Sequence, residues 1–545
     1  MTSSADPPPE GPSGGPLPAA TDKGLKGGAL GLFASTVIGL ASTAPAYSLA
    51  ATLGVIAAVA GVQSPIIIVL AFIPMFLIAY GYKELNEVDP DCGTTFTWAS
   101  RAFGPHTGWL GGWGIVAADI IVMANLAQIA GQYGFQLVGA QGLAHNALWT
   151  TVAGVVWIVL MTWICYIGIE VSANLQKVLL TVEIVMLLVL AVTALVKVYS
   201  GSAPTTSLHI SWSWFDPTRI ASVDAFATSI LTTVFIYWGW DTCVSVNEET
   251  ADRNRTPGRA AVIATVILLL VYLLVTTSAQ SFAGVGSHGN GLANPENSAD
   301  VLSHLGDEVF GSGAFGQTLT KLLILMVLTS AAASTQTTIL PTARTTLSMA
   351  TFKALPAKFA RVHPRFLTPT WSTVGMGLAS IVFFVLLSRV SENLLADSIG
   401  SVGLMIAFYY GLTGFACVWY FRKVLRLSPR ALWTKGIMPG VGGVLLLYFF
   451  VDACLVYAAP DYGSTSWTLP FPPHWQLGGV FVTGIGSLIL GAVLMLVYRV
   501  ISPAFFRKEI IAVSSHAGHG RDEGHGRDDG HGKDDGHGGR RGKRS

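Results

Sequence analysis

The chain has 545 residues, of which 51% are hydrophobic and only 12% are charged, and its mean hydropathy is +0.55. This composition, with the charges gathered between long apolar runs, excludes an ordinary soluble protein and predicts a polytopic helical membrane protein. The net charge of +1 excludes no class of partner, because only the distribution of the charges is informative. The five cysteines show no metal-type spacing and are interpreted as packing thiols.

Residues 1 to 22 are rich in Pro, Gly and Ser, which predicts a disordered cytoplasmic tail. Twelve apolar spans follow, each near the roughly 20 residues that a helix needs to cross about 30 Å of hydrocarbon. Their approximate limits are 29 to 60, 64 to 82, 107 to 139, 148 to 168, 175 to 199, 224 to 247, 260 to 284, 319 to 347, 371 to 388, 396 to 421, 436 to 458 and 477 to 500.

The charges between these spans give an independent test of the count. With both termini inside the cell, 28 of the 32 Lys and Arg residues fall on the cytoplasmic side. The four exceptions are Lys197, Arg219, Lys321 and Arg389. Because basic residues are enriched in cytoplasmic loops, we expect a multi-pass protein of the cell membrane with both termini in the cytoplasm.

Span 1 carries small and hydroxylated residues around Ser42 and Thr43, followed by Pro45. A proline removes a backbone donor and clashes with the carbonyl four residues earlier, so the helix should kink or unwind over about Gly39 to Ser42. The amides freed by such a break suit a carboxylate ligand. The alternative is a proline kink whose backbone is satisfied by nearby Ser and Thr side chains.

The next acids that lie within the predicted spans are Asp119 in span 3 and Glu183 in span 5. A buried carboxyl at Glu183 can carry a proton or bind a cation or a substrate amine. The alternative for both acids is a protonated side chain that makes one interhelical hydrogen bond, and this alternative is preferred for Asp119.

Span 6 contains the run Tyr237-Trp238-Gly239-Trp240-Asp241. An acid at this depth is costly in hydrocarbon, so Asp241 should face a cavity, the protein interior or a partner. Gly239 weakens the helix just before the acid, and interrupted spans of this kind point to a transporter's binding site. The alternative is close helix packing at Gly239 and one buried hydrogen bond at Asp241.

Charged residues follow span 6, where Glu248 and Glu249 precede a basic loop at 253 to 259. We interpret the basic residues as solvated positive charge rather than as one half of a gate of ion pairs.

The C-terminal tail repeats a hexapeptide of the form His-Gly-Arg/Lys-Asp-Asp/Glu-Gly. It has no apolar residue to bury, which predicts disorder. Metal binding in the tail would be weak and without fixed geometry. The histidines concerned are His519, His525, His531 and His537.

Four segments together resemble the amino acid-polyamine-organocation (APC) superfamily of amino acid permeases. They are span 1, the run from Glu84 to Trp109, the segment from Phe235 to Glu249, and the segment from Ala343 to Pro364. The resemblance covers about Gly27 to Tyr420 in order and spacing. It implies two inverted five-helix repeats of the leucine-transporter type, two extra helices, and a substrate site between broken spans 1 and 6.

The resemblance also implies roles for individual residues. Ala41-Ser42-Thr43 falls where the family usually has Gly-Ser-Gly, whose amides hold the substrate carboxylate, and this chain lacks both glycines. Phe235 matches the aromatic residue that covers the substrate. The candidate substrate-binding residues are Ile38, Gly39, Ala41, Ser42, Thr43, Phe235, Tyr237, Gly239 and Asp241.

Glu183 falls where proton-coupled relatives have a lysine against the unwound part of span 1. The charge is reversed, so the lysine mechanism cannot simply be transferred. Phe235, Glu183 and Asp119 are the candidate coupling or gating residues.

We therefore predict an all-α polytopic membrane protein with about 12 transmembrane helices. The expected divisions are a disordered tail at 1–26, a ten-helix inverted-repeat core at 27–421, two additional helices at 422–503 and a disordered tail at 504–545.

The predicted function is secondary active transport of amino acids or related amines by alternating access, with proton-coupled symport or exchange, and not catalysis. The alternatives are a non-transporting amino-acid sensor or scaffold on the same fold, and a polyamine or cationic amine transporter. Expected partners are the small-molecule substrate, protons and membrane lipid, with no cofactor and no nucleic acid. The identity of the substrate, the coupling ion (proton or sodium) and the oligomeric state (monomer or homodimer) stay open at this point.

Overall fold

The computed structural model describes residues 22–296, 301–390, 392–470 and 472–510. The α-helices in chain order are α1 (Leu32–Ser42), α2 (Pro45–Ala60), α3 (Ser64–Val88), α4 (Thr95–Phe103), α5 (Pro105–Leu137), α6 (Gln141–Ala144), α7 (Ala147–Ile167), α8 (Ile169–Tyr199), α9 (Val223–Ile236), α10 (Thr242–Ser245), α11 (Thr256–Ala283), α12 (Val301–Phe310), α13 (Ala314–Thr351), α14 (Thr370–Val390), α15 (Glu392–Phe421), α16 (Pro429–Ala431), α17 (Met438–Tyr457), α18 (Gly479–Ile501) and α19 (Pro503–Phe506). Strands β1 (Ser466–Thr468) and β2 (Gln476–Gly478) form an antiparallel hairpin between α17 and α18, with Ser466 opposite Gly478.

The helices account for every predicted span. In the part of the chain that the structure describes, ten helical stretches are long and apolar enough to cross a membrane. The first of them, Leu32–Val88, contains two predicted spans in succession, and the sixth span appears as the shorter apolar helix Ala225–Ile236. The prediction of an all-α, multi-pass membrane protein is confirmed, and the inverted-repeat arrangement stays a prediction.

Burial separates inner helices from outer ones. Over their most apolar stretches, 83% of α5 and 78% of α13 is buried, compared with 28% of α7 and 22% of α18. An apolar helix that the rest of the protein leaves exposed faces hydrocarbon in a membrane, so α7 and α18 lie at the periphery. The largely buried helices α5 and α13 form the centre of the bundle. The broken spans 1 and 6 pack against this centre, since α1 contacts α13 and α10 contacts α13.

Two spans are broken near their middle. Helix α1 ends at Ser42 and α2 begins at Pro45, with Ala44 in the left-handed region at φ 45°. The break at Thr43 and Ala44 lies later than the predicted Gly39 to Ser42. The reason is that proline is well tolerated at the first position of a new helix, while the residue before a proline is kept out of the helical conformation. In span 6, α9 ends at Ile236 and α10 begins at Thr242.

Both predicted tails include residues that the structure places in the body of the protein. Lys23, placed in the tail at 1–26, is only 8% exposed. Phe505, placed in the tail at 504–545, is buried and stacks on Phe96 with the ring centroids 5.5 Å apart. Short ends of this kind carry too little apolar sequence to be distinguished from tails by composition. The four tail histidines lie outside the described residues.

Close packing of α7 depends on Gly154, since a Cβ there would lie 2.7 Å from both the Ala127 carbonyl oxygen and the Phe384 ring. We expect Gly154→Ala to lower the melting temperature of the detergent-solubilised protein, because overpacking typically costs about 1–3 kcal/mol. Gly134→Ala in α5 is the matched control, because a Cβ there meets nothing within 4 Å and alanine favours a helix. Equal melting temperatures for the two variants would contradict this packing.

Candidate functional site

The two helix breaks lie directly against each other. Gly239 has φ +114°, and a Cβ on it would come within 2.8 Å of the carbonyl carbon and oxygen of Ser42. The Ser42 hydroxyl lies 2.8 Å from the hydroxyl of Thr242, the first residue of α10. At Gly39, one turn earlier, a Cβ would lie 3.2 Å from the Trp240 carbonyl oxygen. Glycine is therefore required at 239 both by its backbone conformation and by the close approach of spans 1 and 6.

Asp241 lies just beyond this contact and is 3% exposed. Its carboxylate accepts hydrogen bonds from Tyr410 at 2.8 Å and from Tyr409 at 3.2 Å, both on α15. The indole N–H of Trp238 donates to the Tyr409 hydroxyl. An ionised carboxylate has about four acceptor positions, so two phenolic donors leave it able to accept hydrogen bonds from an ammonium group.

Glu183 lies at the break in span 1 and is fully buried. Its Oε1 accepts hydrogen bonds from the Ala46 amide and the Ser330 hydroxyl, both at 2.7 Å. Ala46 is in the first turn of α2, whose preceding residue Ala44 has no side chain able to cap it. The carboxylate thus takes the place of a capping side chain at the positive end of a helix. Among the described residues, Oε2 of Glu183 has no hydrogen-bond partner.

Other backbone groups at the break in span 1 are also satisfied. Ser334 on α13 donates to the Ser42 carbonyl at 3.0 Å, and Ser48 donates to the Thr43 carbonyl at 2.7 Å. The amides of Thr43 and Ala44 donate back to α1 at 3.2 Å. Side-chain hydroxyls therefore satisfy the kink, as the alternative interpretation expects. In this conformation the amides of the Ala41–Thr43 motif do not point into an open space.

The candidate substrate-binding residues are all buried, but they do not all face one point. Ser42 and Gly239 meet at the junction of the breaks, where Ser42 also contacts Thr242, while the carboxylate of the preceding Asp241 contacts α15. The hydroxyl of Tyr237 donates instead to the Ile68 carbonyl on α3 at 3.1 Å. Ile38 packs in a separate apolar cluster.

The remaining candidates are Phe235 and Asp119. Phe235 is in the last turn of α9 and is 6% exposed. Asp119 accepts a hydrogen bond from Thr342 on α13, which is the single interhelical bond that the sequence favoured for it.

Five charged residues form two buried sets of ion pairs, Lys23 with Asp91 and Glu248, and Arg344 with Glu249. Together they are called the buried ion-pair cluster. The Lys23 ammonium lies 2.8 Å from Asp91 and 2.5 Å from Glu248. Arg344 donates two hydrogen bonds to Glu249, at 2.9 and 2.8 Å, and both side chains are fully buried. The cluster joins the chain before α1, the loop after α3, the end of broken span 6 and helix α13. The two glutamates thus pair with partners distant in sequence rather than with the basic loop at 253 to 259.

Burial by itself opposes charge on both members of the Lys23–Asp91 pair. The carboxylates of Asp91 and Glu248 outweigh this effect and raise the pKa of Lys23 above its ordinary value. For Asp91, burial acts to raise the pKa, but the Lys23 ammonium and a hydrogen bond from Ser348 lower it to about 2. The contribution of this carboxylate to stability is therefore present above the ordinary aspartate pKa and is lost as the pH falls towards 2.

Several of these residues were not identified from the sequence as part of a site. Lys23 and Arg344 were counted there only among the basic residues on the cytoplasmic side, although Arg344 falls within the limits 319 to 347 of predicted span 8. A charge inside a span is itself a signal of a buried partner. The adjacent Tyr409 and Tyr410 in span 10 give a weaker signal. Nothing local distinguishes Lys23, whose partner Glu248 lies 225 residues away.

A profile of the family described as amino acid permease matches residues 30–481. The chain belongs to the amino acid permease family. This permease is 29% identical to an uncharacterized transporter of Mycobacterium tuberculosis over 353 residues, which cover 64% of this chain and 71% of the relative. It is 25% identical to a methylthioribose transporter of Bacillus subtilis over 343 residues, or 59% and 68% of the two chains. It is also 25% identical to the vacuolar cationic amino acid transporter 4 of Arabidopsis thaliana over 364 residues, or 62% and 54%.

Removal of the cluster's lysine should open this part of the permease. We expect Lys23→Met to speed modification of Cys92 by a soluble thiol reagent by roughly tenfold or more, because loss of one partner leaves buried charges uncompensated. Cys92 is fully buried and its sulfur lies 3.5 Å from the Lys23 ammonium. The rate is measured by mass spectrometry of the peptide that contains Cys92.

Lys26→Met is the matched control for this measurement. Lys26 pairs with Glu170 at 2.6 Å, but both side chains are about half exposed, and pairs in contact with solvent contribute little. The same Cys92 rate in wild type and Lys23→Met would show that the ion pairs of Lys23 do not keep Cys92 inaccessible to solvent.

Proposed function

We propose that this permease is a secondary transporter that carries an amino acid or a related amine across the cytoplasmic membrane by alternating access. The observation that carries the proposal is the contact between the two breaks, where Gly239 packs on Ser42 with Asp241 beside it. Irregular backbone at membrane depth is tolerated where it is buried in protein or lines a cavity. Paired broken helices are typical of transporter binding sites.

Asp241 binds the ammonium group of the substrate. Its two phenolic donors, Tyr409 and Tyr410, orient the carboxylate without neutralising it. A buried carboxylate pairs best with a cation that also fills its remaining acceptor positions. Phe235, at the end of α9, moves to cover the bound substrate and excludes water, so that substrate binding favours the occluded state.

Glu183 couples transport to protons. As a carboxylate it occupies the Ala46 amide at the start of α2, which is the helix end best suited to a substrate carboxylate. Protonation of Glu183 weakens its hold on that amide, which then becomes free for the substrate carboxylate. An amino acid and a proton therefore bind together. An amine without a carboxylate needs only Asp241, and this keeps a polyamine or cationic amine substrate as the second candidate.

The buried ion-pair cluster closes the cytoplasmic side of the substrate site. The distribution of Lys and Arg supports cytoplasmic termini, and with that orientation Lys23, Asp91 and Glu248 lie at the cytoplasmic ends of their spans. Substrate release to the cytoplasm then requires these pairs to separate and become hydrated. The conformation described is closed on this side.

The substrate assignment is tested by a thermal-shift screen against the twenty amino acids and common polyamines at two pH values, followed by uptake into liposomes. We expect Asp241→Asn to weaken the binding of any ligand found by about 100-fold or more, because a buried ammonium loses its charged partner. Asp119→Asn is the matched control, since its carboxylate bonds a threonine hydroxyl. Ligand binding without measurable flux would favour the sensor alternative, and equal affinity in wild type and Asp241→Asn would exclude the ammonium site.

The coupling assignment is tested with Glu183→Gln in the same liposomes. The glutamine amide keeps a carbonyl acceptor for the Ala46 amide but carries no titratable proton. We expect exchange of internal for external substrate to persist, while uphill uptake driven by an imposed proton gradient is lost. Proton-driven uptake at the wild-type rate in Glu183→Gln would place the coupling site elsewhere.

A further inference from the structure

A groove of about 480 Å³ runs along the membrane-facing side of the protein between α7 and α14. Its sides carry large apolar groups that are exposed in the protein alone, including Trp163 at 57% and Leu378 at 61%. Its floor is formed where α14 approaches α7, since a Cβ on Gly377 would lie 2.4 Å from the Thr162 hydroxyl oxygen. A long apolar groove of this kind fits an acyl chain.

Aromatic side chains lead from one end of the groove to a basic loop. Tyr166, which lines the groove, contacts the rings of His363 at 5.6 Å and Phe366 at 5.8 Å. The guanidinium of Arg365 lies 5.6 Å from the centre of the Phe366 ring. The Thr368 hydroxyl donates to the Tyr166 carbonyl at 2.8 Å, which fixes the loop to the end of α7.

Three hydrogen-bond donors of this loop lie near the end of the groove. Arg361 and Arg365 are exposed, and the Arg361 carbonyl accepts a hydrogen bond from the amide of Thr370, which lines the groove. The Nδ1 atom of His363 accepts from the amides of Arg365 and Phe366. The ring proton of His363 is therefore on Nε2, which can donate to an oxyanion.

The opposite end of the same helix pair provides a contrast. A second groove of about 450 Å³ between α7 and α14 is also mainly apolar, and Arg389 is the one basic residue in its lining. Both ends have room for an acyl chain. Only the end with the 361–365 loop combines that room with two guanidinium groups and an imidazole donor, which suits a phosphate.

We propose that this groove and the 361–365 loop form a binding site for one anionic phospholipid. An acyl chain lies in the groove against Trp163 and Leu378. The phosphate lies at the loop, where Arg361 and Arg365 supply charge and His363 donates through Nε2. With cytoplasmic termini the loop faces the cytoplasmic leaflet, where anionic lipid is attracted to basic residues. The bound lipid holds the start of α14 to the end of α7 and stabilises the folded protein.

The test compares the melting temperature of the purified full chain with added phosphatidylglycerol and with phosphatidylcholine of the same acyl chains. We expect phosphatidylglycerol to raise the melting temperature by roughly 3 °C more than phosphatidylcholine, as a ligand of the folded state does. Arg361→Ala/Arg365→Ala should remove this difference and weaken phosphatidylglycerol binding, measured by native mass spectrometry, by roughly tenfold.

Three comparisons distinguish lipid bound at this site from lipid attracted to basic residues in general. Arg426→Ala/Arg430→Ala removes two exposed basic residues elsewhere and should leave the lipid effect unchanged. Leu378→Trp fills the groove and should abolish stabilisation by phosphatidylglycerol while the loop is intact. Glycerol phosphate, which lacks acyl chains, should not stabilise the protein. Equal effects of the two lipids, equal losses in the two double variants, or full stabilisation by glycerol phosphate would each overturn the proposal.

Discussion

The hydrogen bonding of backbone groups at the two helix breaks is the constraint on which the rest of the structure depends. A break in a transmembrane helix leaves amides and carbonyls without helical partners, and each such group costs several kcal/mol away from water. Here Ser334 on α13 satisfies the Ser42 carbonyl and Glu183 on α8 satisfies the Ala46 amide. The breaks therefore determine which helices must surround them, and these helices cannot move away unless other groups replace the lost hydrogen bonds.

A similar constraint applies to the buried charges, which also need partners or water, and it explains how the closed conformation can be stable and yet able to open. The buried ion-pair cluster is held by charge pairs, and separating buried charges is unfavourable unless water reaches them. Lys23 contacts both Asp91 and Glu248, so one movement of the chain before α1 exposes several charges together. In the gating role that we propose, the cluster thus favours two discrete states, closed and dry or open and hydrated, over intermediate ones. Alternating access requires discrete states of this kind.

The sequence predicts the fold well because span length, the positions of basic loops and the helix-breaking residues are local properties. Pro45 and Gly239 mark both breaks, although the first lies slightly later than expected because proline begins a helix more readily than it ends one. The partners of the charged residues were not predictable in the same way. Glu249 and Arg344 lie 95 residues apart, and one sequence without its contacts gives no reason to pair them. The resemblance identified the position of Glu183, but its hydroxyl partner on Ser330 became visible only in the structure.

The two buried carboxylates differ in a way that supports different tasks. In Asp241 each oxygen accepts one phenolic hydroxyl, at 2.8 and 3.2 Å, which leaves an acceptor position on each oxygen for the ammonium group that we propose it binds. In Glu183 both hydrogen bonds reach Oε1, and Oε2 has no partner among the described residues. A buried carboxylate with one unsatisfied oxygen is most easily stabilised there by a proton or by a cation. In the coupling role that we propose for Glu183, this proton changes the bond to α2, so its binding and release alter the helix break itself and link proton binding to movement of span 1.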